Sequence, residues 1–201
     1  MTQTALSEPI LSRPRYGVLA VRQGSGHLMV ADGDGAGAIV DLVLNAAMLA
    51  VTHLIYVPGA NGVDRAAELQ ALGAAQFLRA PSFATALPRL QKVLADAHMG
   101  LQIYAAGTEG LMGQVQREVV AAGLPHTALQ MEHRGSYARR VQCVHCKGIT
   151  ENVALDPFQC SHCGLNLFVR DHYSRRLAAF QGVNIDAEDP GLVAPSVKRF
   201  E

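Results

Sequence analysis

The chain has 201 residues, of which 17 are Lys or Arg and 17 are Asp or Glu, and 49% are hydrophobic. This composition supplies enough apolar residues for a full core and excludes a disordered chain. A formal net charge of zero argues against a protein that works on nucleic acid, because such proteins are basic overall or along one face.

The sequence pattern of residues 1–132 predicts strands that alternate with helices. Residues 1–14 are polar and contain two prolines, which is typical of a flexible arm. The predicted strands are 15–21, 26–31, 53–59, 75–80, 101–107 and 127–132. The predicted helices are 39–49, 63–73, 82–98 with Ser82 as its cap, and one that begins at Thr108 and ends in the AAGLP sequence. This alternation predicts an α/β domain over 15–132 with a doubly wound, mostly parallel sheet.

No export signal is visible at the N-terminus, and the most apolar stretch contains three polar interruptions, at Asp41, Asn45 and His53. We therefore expect no membrane span and a cytoplasmic protein. In a reducing cytoplasm, paired cysteines bind metal rather than form disulfides.

The cysteines follow the pattern Cys-x2-Cys-x13-Cys-x2-Cys at Cys143, Cys146, Cys160 and Cys163. Each pair can form a knuckle that presents two thiolates, and two knuckles complete a tetrahedral site. The spacing predicts one structural zinc per chain in a zinc-ribbon-like module over 133–201. A rubredoxin-like iron centre for electron transfer has the same ligands and stays open as an alternative. The absence of Trp, and Lys147 where that knuckle usually has glycine, favour zinc.

The remainder of this module is basic, since residues 133–176 contain 7 Lys or Arg and 3 Asp or Glu. These cations can offset a four-thiolate site, whose formal charge is near −2. A zinc ribbon that binds nucleic acid is a second alternative, which would use Arg134, Arg139, Arg140, Lys147, Arg175 and Arg176. We expect His145 and His162 to be exposed, or to contact the ligands from outside, rather than to bind the metal, because four thiolates already satisfy zinc. We also expect a basic helix near 171–181 and no catalytic residue in its Asp-His-Tyr sequence.

Two glycine-rich turns follow predicted strands, "DGDGAGA" at 32–38 and "AAGTEG" at 105–110. Ligands of open α/β sheets bind beyond the carboxyl ends of the strands, where glycine lets a phosphate approach the backbone. The predicted nucleotide contacts are Gly33, Gly35, Gly37, Gly107, Glu109 and Gly110. Tight turns also require glycine, and Asp32 and Asp34 place carboxylates where a pyrophosphate would lie.

Taken together, these segments resemble the nucleotide-binding half of the ferredoxin reductase superfamily over residues 15–132. The residues that match the pattern "YVCGPEGMM" are Tyr104, Gly107, Glu109, Gly110 and Met112. Ala106 stands where such reductases carry cysteine, Thr108 replaces proline, and the chain lacks the length for a flavin-binding barrel. The resemblance implies at most a nucleotide-binding domain and not a complete reductase.

Over nearly its whole length, the chain is similar to the A subunit of bacterial dimethylamine monooxygenase, the DmmA-like family. The cysteine ribbon and the "VRDHYSRRLAAFQGVNIDAEDP" tail carry this resemblance most specifically. It implies an accessory subunit of an enzyme that uses NADPH and O2 to convert dimethylamine to methylamine and formaldehyde. Haem, flavin and iron–sulfur groups are then expected on separate oxygenase and reductase subunits. The resemblance leaves open whether NADPH contacts this subunit.

Overall fold

The computed structural model of the chain describes residues 13–59 and 64–200, so most of the predicted arm lies outside the described residues. The first sheet has five strands, all parallel, in the order β3-β2-β1-β4-β5. The strands are β1 (Gly26–Asp32), β2 (Thr52–Val57), β3 (Gln76–Arg79), β4 (Leu101–Gly107) and β5 (Leu129–His133). Strand order reverses between β1 and β4, as in one half of a doubly wound nucleotide-binding fold. The predicted fold class is confirmed.

Helices cover both faces of this sheet. They are α1 (Ala36–Val40), α2 (Ala46–Leu49), α3 (Ala66–Ala71), α4 (Phe83–Ala95) and α5 (Glu109–Ala121), with a short 3-10 helix at His126–Ala128. Alternate residues of β1 point to opposite faces, so Leu28 and Val30 pack against α4 and α5, while Met29 and Ala31 pack towards α1 and α3. Such two-sided burial explains the runs of consecutive apolar residues at 28–31 in β1 and 54–57 in β2.

Two predicted elements of the first domain are wrong. The helix predicted over 39–49 is broken into α1 and α2, because the Asn45 side chain accepts a hydrogen bond from the backbone of Met48 and caps a new helix. The strand predicted over 15–21 does not form. That segment is extended, and side chains hold it in place: the Glu132 carboxylate accepts from the Leu19 backbone at 2.7 Å, and Gln130 pairs with Ala20.

The second sheet has the order β7-β6-β11-β10-β9, and a separate pair joins β12 to β8. These strands are β6 (Arg139–Cys143), β7 (Ile149–Val153), β8 (Leu155–Asp156), β9 (Phe158–Gln159), β10 (Asn166–Ser174), β11 (Ala179–Asn184) and β12 (Val197–Lys198). The helix predicted near 171–181 is wrong, since this stretch forms the β10–β11 hairpin. Leu167 and Val169 are buried at a spacing of two, the period of a strand rather than of a helix.

The two sheets meet along α5. Gly113 on this helix leaves room for the hydroxyl of Tyr173, which comes from β10. A Cβ at Gly110 would lie 3.5 Å from the Arg140 side chain of β6, so small residues on α5 let the second sheet approach closely. Among the described residues, no helix is both long enough and apolar enough to cross a membrane.

Candidate metal centre and glycine turns

The four cysteines converge on one point in the second sheet. Their sulfur atoms all lie within 4.8 Å of one another, at 3.9 Å for Cys143 and Cys163 and 3.7 Å for Cys146 and Cys160. A Zn–S bond of about 2.3 Å implies tetrahedral S–S edges of about 3.8 Å. The four residues therefore fit a tetrahedral metal ion. Iron in an S4 site has similar dimensions, so these distances indicate a metal centre and not its element.

The two knuckles share one backbone shape. The Cys143 carbonyl accepts from the N–H of Lys147 at 3.0 Å, and the Cys160 carbonyl accepts from Gly164 at the same distance. The fourth residue after the first cysteine has a positive φ in both, 64° at Lys147 and 76° at Gly164. This conformation turns the chain back so that both sulfurs of a pair face the same side. The short Cys-x2-Cys spacing is thus sufficient to build each half of the centre.

The clustered thiols shift one another's pKa values in opposite directions. Burial opposes the thiolate of Cys160, but backbone N–H groups of Cys163 and His162 outweigh it and lower the pKa of this thiol to about 6. The Leu165 backbone favours the thiolate of Cys163, yet desolvation and the neighbouring sulfurs raise its pKa to about 12. Four adjacent thiolates repel one another, and a divalent ion removes that cost.

The histidines inside the knuckles lie away from the sulfurs. His145 and His162 are both exposed. The His162 ring packs over Gly148, and its Nε2 lies 2.9 Å from the carbonyl oxygen of Ile149. Neither belongs to the group of residues that could hold the ion together. The expected exposure is confirmed.

In the glycine turns, the Asp32 carboxylate accepts hydrogen bonds from backbone N–H groups. Its Oδ1 accepts from the Gly35 N–H at 3.0 Å, and its Oδ2 accepts from both the N–H and the hydroxyl of Thr108 at 2.8 Å. A Cβ at Gly107, where φ is 136°, would overlap this carboxylate. Burial raises the pKa of Asp32, and the three hydrogen bonds oppose that shift. A carboxylate of the chain itself therefore occupies the donors that a phosphate would use.

The other predicted nucleotide contacts have local roles. A Cβ at Gly35 would overlap the carbonyl of Ala106, and one at Gly37 would lie 2.6 Å from the Arg65 guanidinium. Gly33 lies in the turn between β1 and α1. Glu109 is buried elsewhere, where its Oε1 accepts from the Tyr16 hydroxyl at 3.0 Å. Gly35 and Gly107 thus both lie against Asp32 at the end of β1, whereas Glu109 contacts Tyr16 instead.

The cleft above these turns does not fit a pyrophosphate in this arrangement. It encloses about 750 Å³, and its charged lining residues are Asp32, Asp34, Arg140 and Glu151. Arg140 is the single cation among the described lining residues, and its Nε lies 2.9 Å from both oxygens of Glu151. Carboxylates repel a diphosphate, and the repulsion grows in a poorly solvated cleft. The six residues nevertheless remain predicted nucleotide contacts.

A buried arginine of the second sheet lies close to Glu109 at the start of α5, a feature that sequence reasoning missed. The Arg139 guanidinium lies between the rings of Phe180 and Phe200, with its Cζ 4.0 Å from each ring centroid. Its Nη1 lies 2.8 Å from Asp171, and its Nε lies 4.0 Å from Glu109. These partners are up to 61 positions away in sequence, so no local pattern could indicate them.

The six basic residues considered for nucleic acid do not form one free face. Arg139 is buried, Arg140 pairs with Glu151, and Arg134 pairs with Glu132 at 2.6 Å. Lys147 folds onto its own knuckle and donates to the Val144 carbonyl at 2.6 Å. This leaves Arg175 and Arg176 exposed in the β10–β11 turn.

Both sheets match models of one protein family. Residues 8–129 match the N-terminal domain of "dimethylamine monooxygenase subunit DmmA-like" proteins, and residues 140–183 match their C-terminal domain. The chain belongs to this DmmA-like family. The second match contains all four cysteines, so the metal centre lies inside the family's C-terminal domain.

A curated relative supports the same family. The heme-dependent oxidative N-demethylase delta subunit of Ectopseudomonas mendocina (strain ymp) is 32% identical over 143 residues, which cover 69% of this chain and 82% of that protein. Two solved structures are more distant. Phthalate dioxygenase reductase has a TM-score of 0.45 and 14% identity over 70% of this chain and 48% of its own. A flavohemoglobin from Malassezia yamatoensis has a TM-score of 0.38 and 13% identity, over 56% and 32%.

Proposed function

We propose that this chain is an accessory subunit of an NADPH-dependent dimethylamine monooxygenase. In this role it assembles or couples a reductase subunit and a haem oxygenase subunit, and it carries no catalytic residue. The observation that carries the proposal is membership of the DmmA-like family over both halves of the chain. The curated relative, itself named a subunit of an oxidative N-demethylase, supports the multisubunit assignment.

The chain's own residues support the division of cofactors in this proposal. Its four cysteines converge on one centre, and a [2Fe–2S] cluster would need four more. Zinc at Cys143, Cys146, Cys160 and Cys163 would be structural, because a closed set of four thiolates leaves no position for substrate. Haem, flavin and iron–sulfur groups are assigned to the partner subunits.

NADPH is assigned to the reductase subunit. The Asp32 carboxylate supports this choice, because it takes the N–H groups of Gly35 and Thr108 that would otherwise receive a phosphate. The first sheet then serves as a rigid body that presents surfaces to other subunits. The second sheet packs along α5 and extends that body.

Co-production of the chain with the haem and reductase subunits tests the proposal. We expect a stoichiometric complex by native mass spectrometry, and formaldehyde formation from dimethylamine that depends on NADPH. Leaving this chain out should lower the amount of formaldehyde formed for each NADPH oxidised, because coupling between the other subunits is lost. A chain that stays monomeric while the other subunits turn over normally would overturn the proposal.

A further inference from the structure

The two faces of the first sheet are covered by helices of different length. On one face α4 and α5 each have 13 residues, and the second sheet packs along α5. On the other face α1, α2 and α3 have 5, 4 and 6 residues. Helices this short cover less of the apolar layer beneath them, so apolar side chains on this face reach the surface.

Residues 42–50, which we call the α2 patch, are apolar and open to solvent. Eight of these nine residues are hydrophobic, none of the nine is buried, and Val43 is 90% exposed. Leu42 and Leu44 pack against the same cluster of buried residues as Leu72 of the α3 end. The patch is therefore an exposed continuation of the core of this face. Contiguous apolar surface on a folded protein marks an interaction site.

Formal charge is absent from the α2 patch and is paired within the chain at its flanks. No Lys, Arg, Asp or Glu occurs between Asp41 and Asp64 in the sequence. The Asp41 carboxylate lies 3.6 Å from the Arg134 guanidinium, and Arg65 forms an ion pair with Glu68 of α3. An apolar centre with a polar border is the arrangement of core and rim in protein interfaces.

This absence of charge selects the chemistry of the occupant. Nucleic acid binds through Lys and Arg contacts to phosphates, and the α2 patch contains neither residue. Helices that lie on membrane surfaces have a basic polar face, whereas α2 has four residues and no cation. A protein surface with unpaired charges would lose their hydration against the patch without gaining a counter-charge, which costs free energy. The patch therefore fits an uncharged, apolar protein surface.

We infer that the α2 patch is the docking surface for an apolar surface of another subunit of the enzyme. The inference rests on the proposed function, because an accessory subunit that assembles or couples other subunits has to bind at least one of them. The second sheet packs along α5 on the opposite face of the first sheet, so it does not cover the patch. Burial of uncharged side chains such as Val43 then stabilises the complex.

Two substitutions of opposite charge within the patch test the inference on the full chain. Val43→Asp and Ala47→Arg each change an exposed side chain, so both variants should fold. We expect each variant to bind a partner subunit at least about tenfold more weakly, because the new charge would be buried without a counter-charge. Hydrogen exchange over 42–50 should slow when the wild-type complex forms.

Val18→Asp is the matched control, since Val18 is also an exposed valine, at 82%. It follows Gly17, whose N–H donates to Met131 of the edge strand β5. The patch lies near the other edge, because the Leu49 carbonyl accepts from the N–H of Ala75, just before β3. This control should bind the partner subunit within about twofold of the wild type.

The outcomes separate the docking surface from the proposed function. If the wild-type complex forms and both patch variants bind as tightly as the wild type, the docking surface is wrong and the subunit assignment stands. If the wild type binds neither partner subunit, the proposed function fails and the inference with it. If one charge weakens binding and the other strengthens it, the partner surface is charged and the inference is wrong.

Analytical ultracentrifugation of the chain alone distinguishes a second copy as the occupant. We expect a monomer at the concentrations at which the complex forms. A wild-type dimer that Val43→Asp dissociates would assign the α2 patch to a second copy and overturn the inference. Thermal melting of each variant verifies that it is folded.

Discussion

The glycine turns and the cysteine knuckles both have sequence patterns of ligand sites, but they differ in what satisfies them. In the turns, the donors are backbone N–H groups, and the Asp32 carboxylate accepts from two of them. In the knuckles, four sulfurs face one another, at 3.9 Å for Cys143 and Cys163 and 3.7 Å for Cys146 and Cys160. A chain can neutralise donors with its own carboxylate, whereas clustered thiolates require a cation from outside. Glycine spacing therefore indicates backbone shape, and cysteine spacing indicates chemistry.

Removal of a thiolate should have the largest effect in either region. Cys146→Ala leaves three ligands, and we expect loss of the metal and of the ordered second sheet, because structural zinc contributes on the order of 10 kcal/mol to folding. Metal analysis should give less than one ion per chain. Hydrogen exchange should become fast over 139–184 and remain slow in β1 and β4 of the first sheet.

His145→Ala is the matched control, since His145 lies in the same knuckle but is exposed. It should retain one zinc per chain in a colourless protein and leave exchange over 139–184 unchanged. Loss of metal in this control would show that His145 is a ligand. A red protein with one iron per chain would replace the zinc assignment with the rubredoxin-like alternative.

A substitution of Asp32 in the glycine turns should cost less stability than the removal of a thiolate. Asp32→Asn places an amide among the donors Gly35 and Thr108, and we expect a loss of about 1–3 kcal/mol of unfolding free energy, measured by denaturant unfolding. Burial raises the folded-state pKa of Asp32 above its unfolded value of about 3.9. Its titration therefore stabilises the fold fully below that value, and the contribution is lost as pH rises through the folded pKa.

The difference in stability between wild type and Asp32→Asn should accordingly shrink as pH rises from about 4 to 7. Groups that titrate alike in both proteins contribute equally to both stabilities and so do not affect this difference. A difference that grows with pH would mean that the three hydrogen bonds to the carboxylate outweigh its burial. Saturable NADPH binding by the wild type, lost in Gly107→Ala, would show that the turns bind a nucleotide despite Asp32.

Patterns confined to a few residues predicted the fold and the metal centre. The apolar strands from β1 to β4 and the Cys-x2-Cys pairs depend on neighbours in sequence, so they can be identified without the structure. The β10–β11 hairpin could not, because charged residues at 170–176 obscure the alternation of buried Leu167 and Val169. The environment of Arg139 depends on Phe180 and Phe200, which only the tertiary fold brings together.

The contacts of Asp32 in the glycine turns also depend on the tertiary fold. The sequence identified Asp32 as a carboxylate near the phosphate position, but its hydrogen bonds to Gly35 and Thr108 join residues from two different turns. Their contact requires β1 and β4 to be adjacent, which is a property of the sheet order. Local spacing thus predicted where the donors lie, and only the topology determined what accepts from them.

The smallest expected effect concerns the position of positive φ in each knuckle, which is lysine in the first and glycine in the second. Lys147 has φ of 64° where Gly164 has 76°, and a side chain in this region costs about 1–2 kcal/mol. Lys147→Gly removes that strain, but it also removes the hydrogen bond to Val144 and makes the unfolded chain more flexible. We therefore expect a net gain of about 0.5 kcal/mol in the free energy of unfolding. Gly164→Ala introduces the same strain and should lower the free energy of unfolding by about 1 kcal/mol. Thermal unfolding of the zinc-loaded proteins measures both, and a loss of stability in Lys147→Gly would show that the lysine contact outweighs the backbone strain.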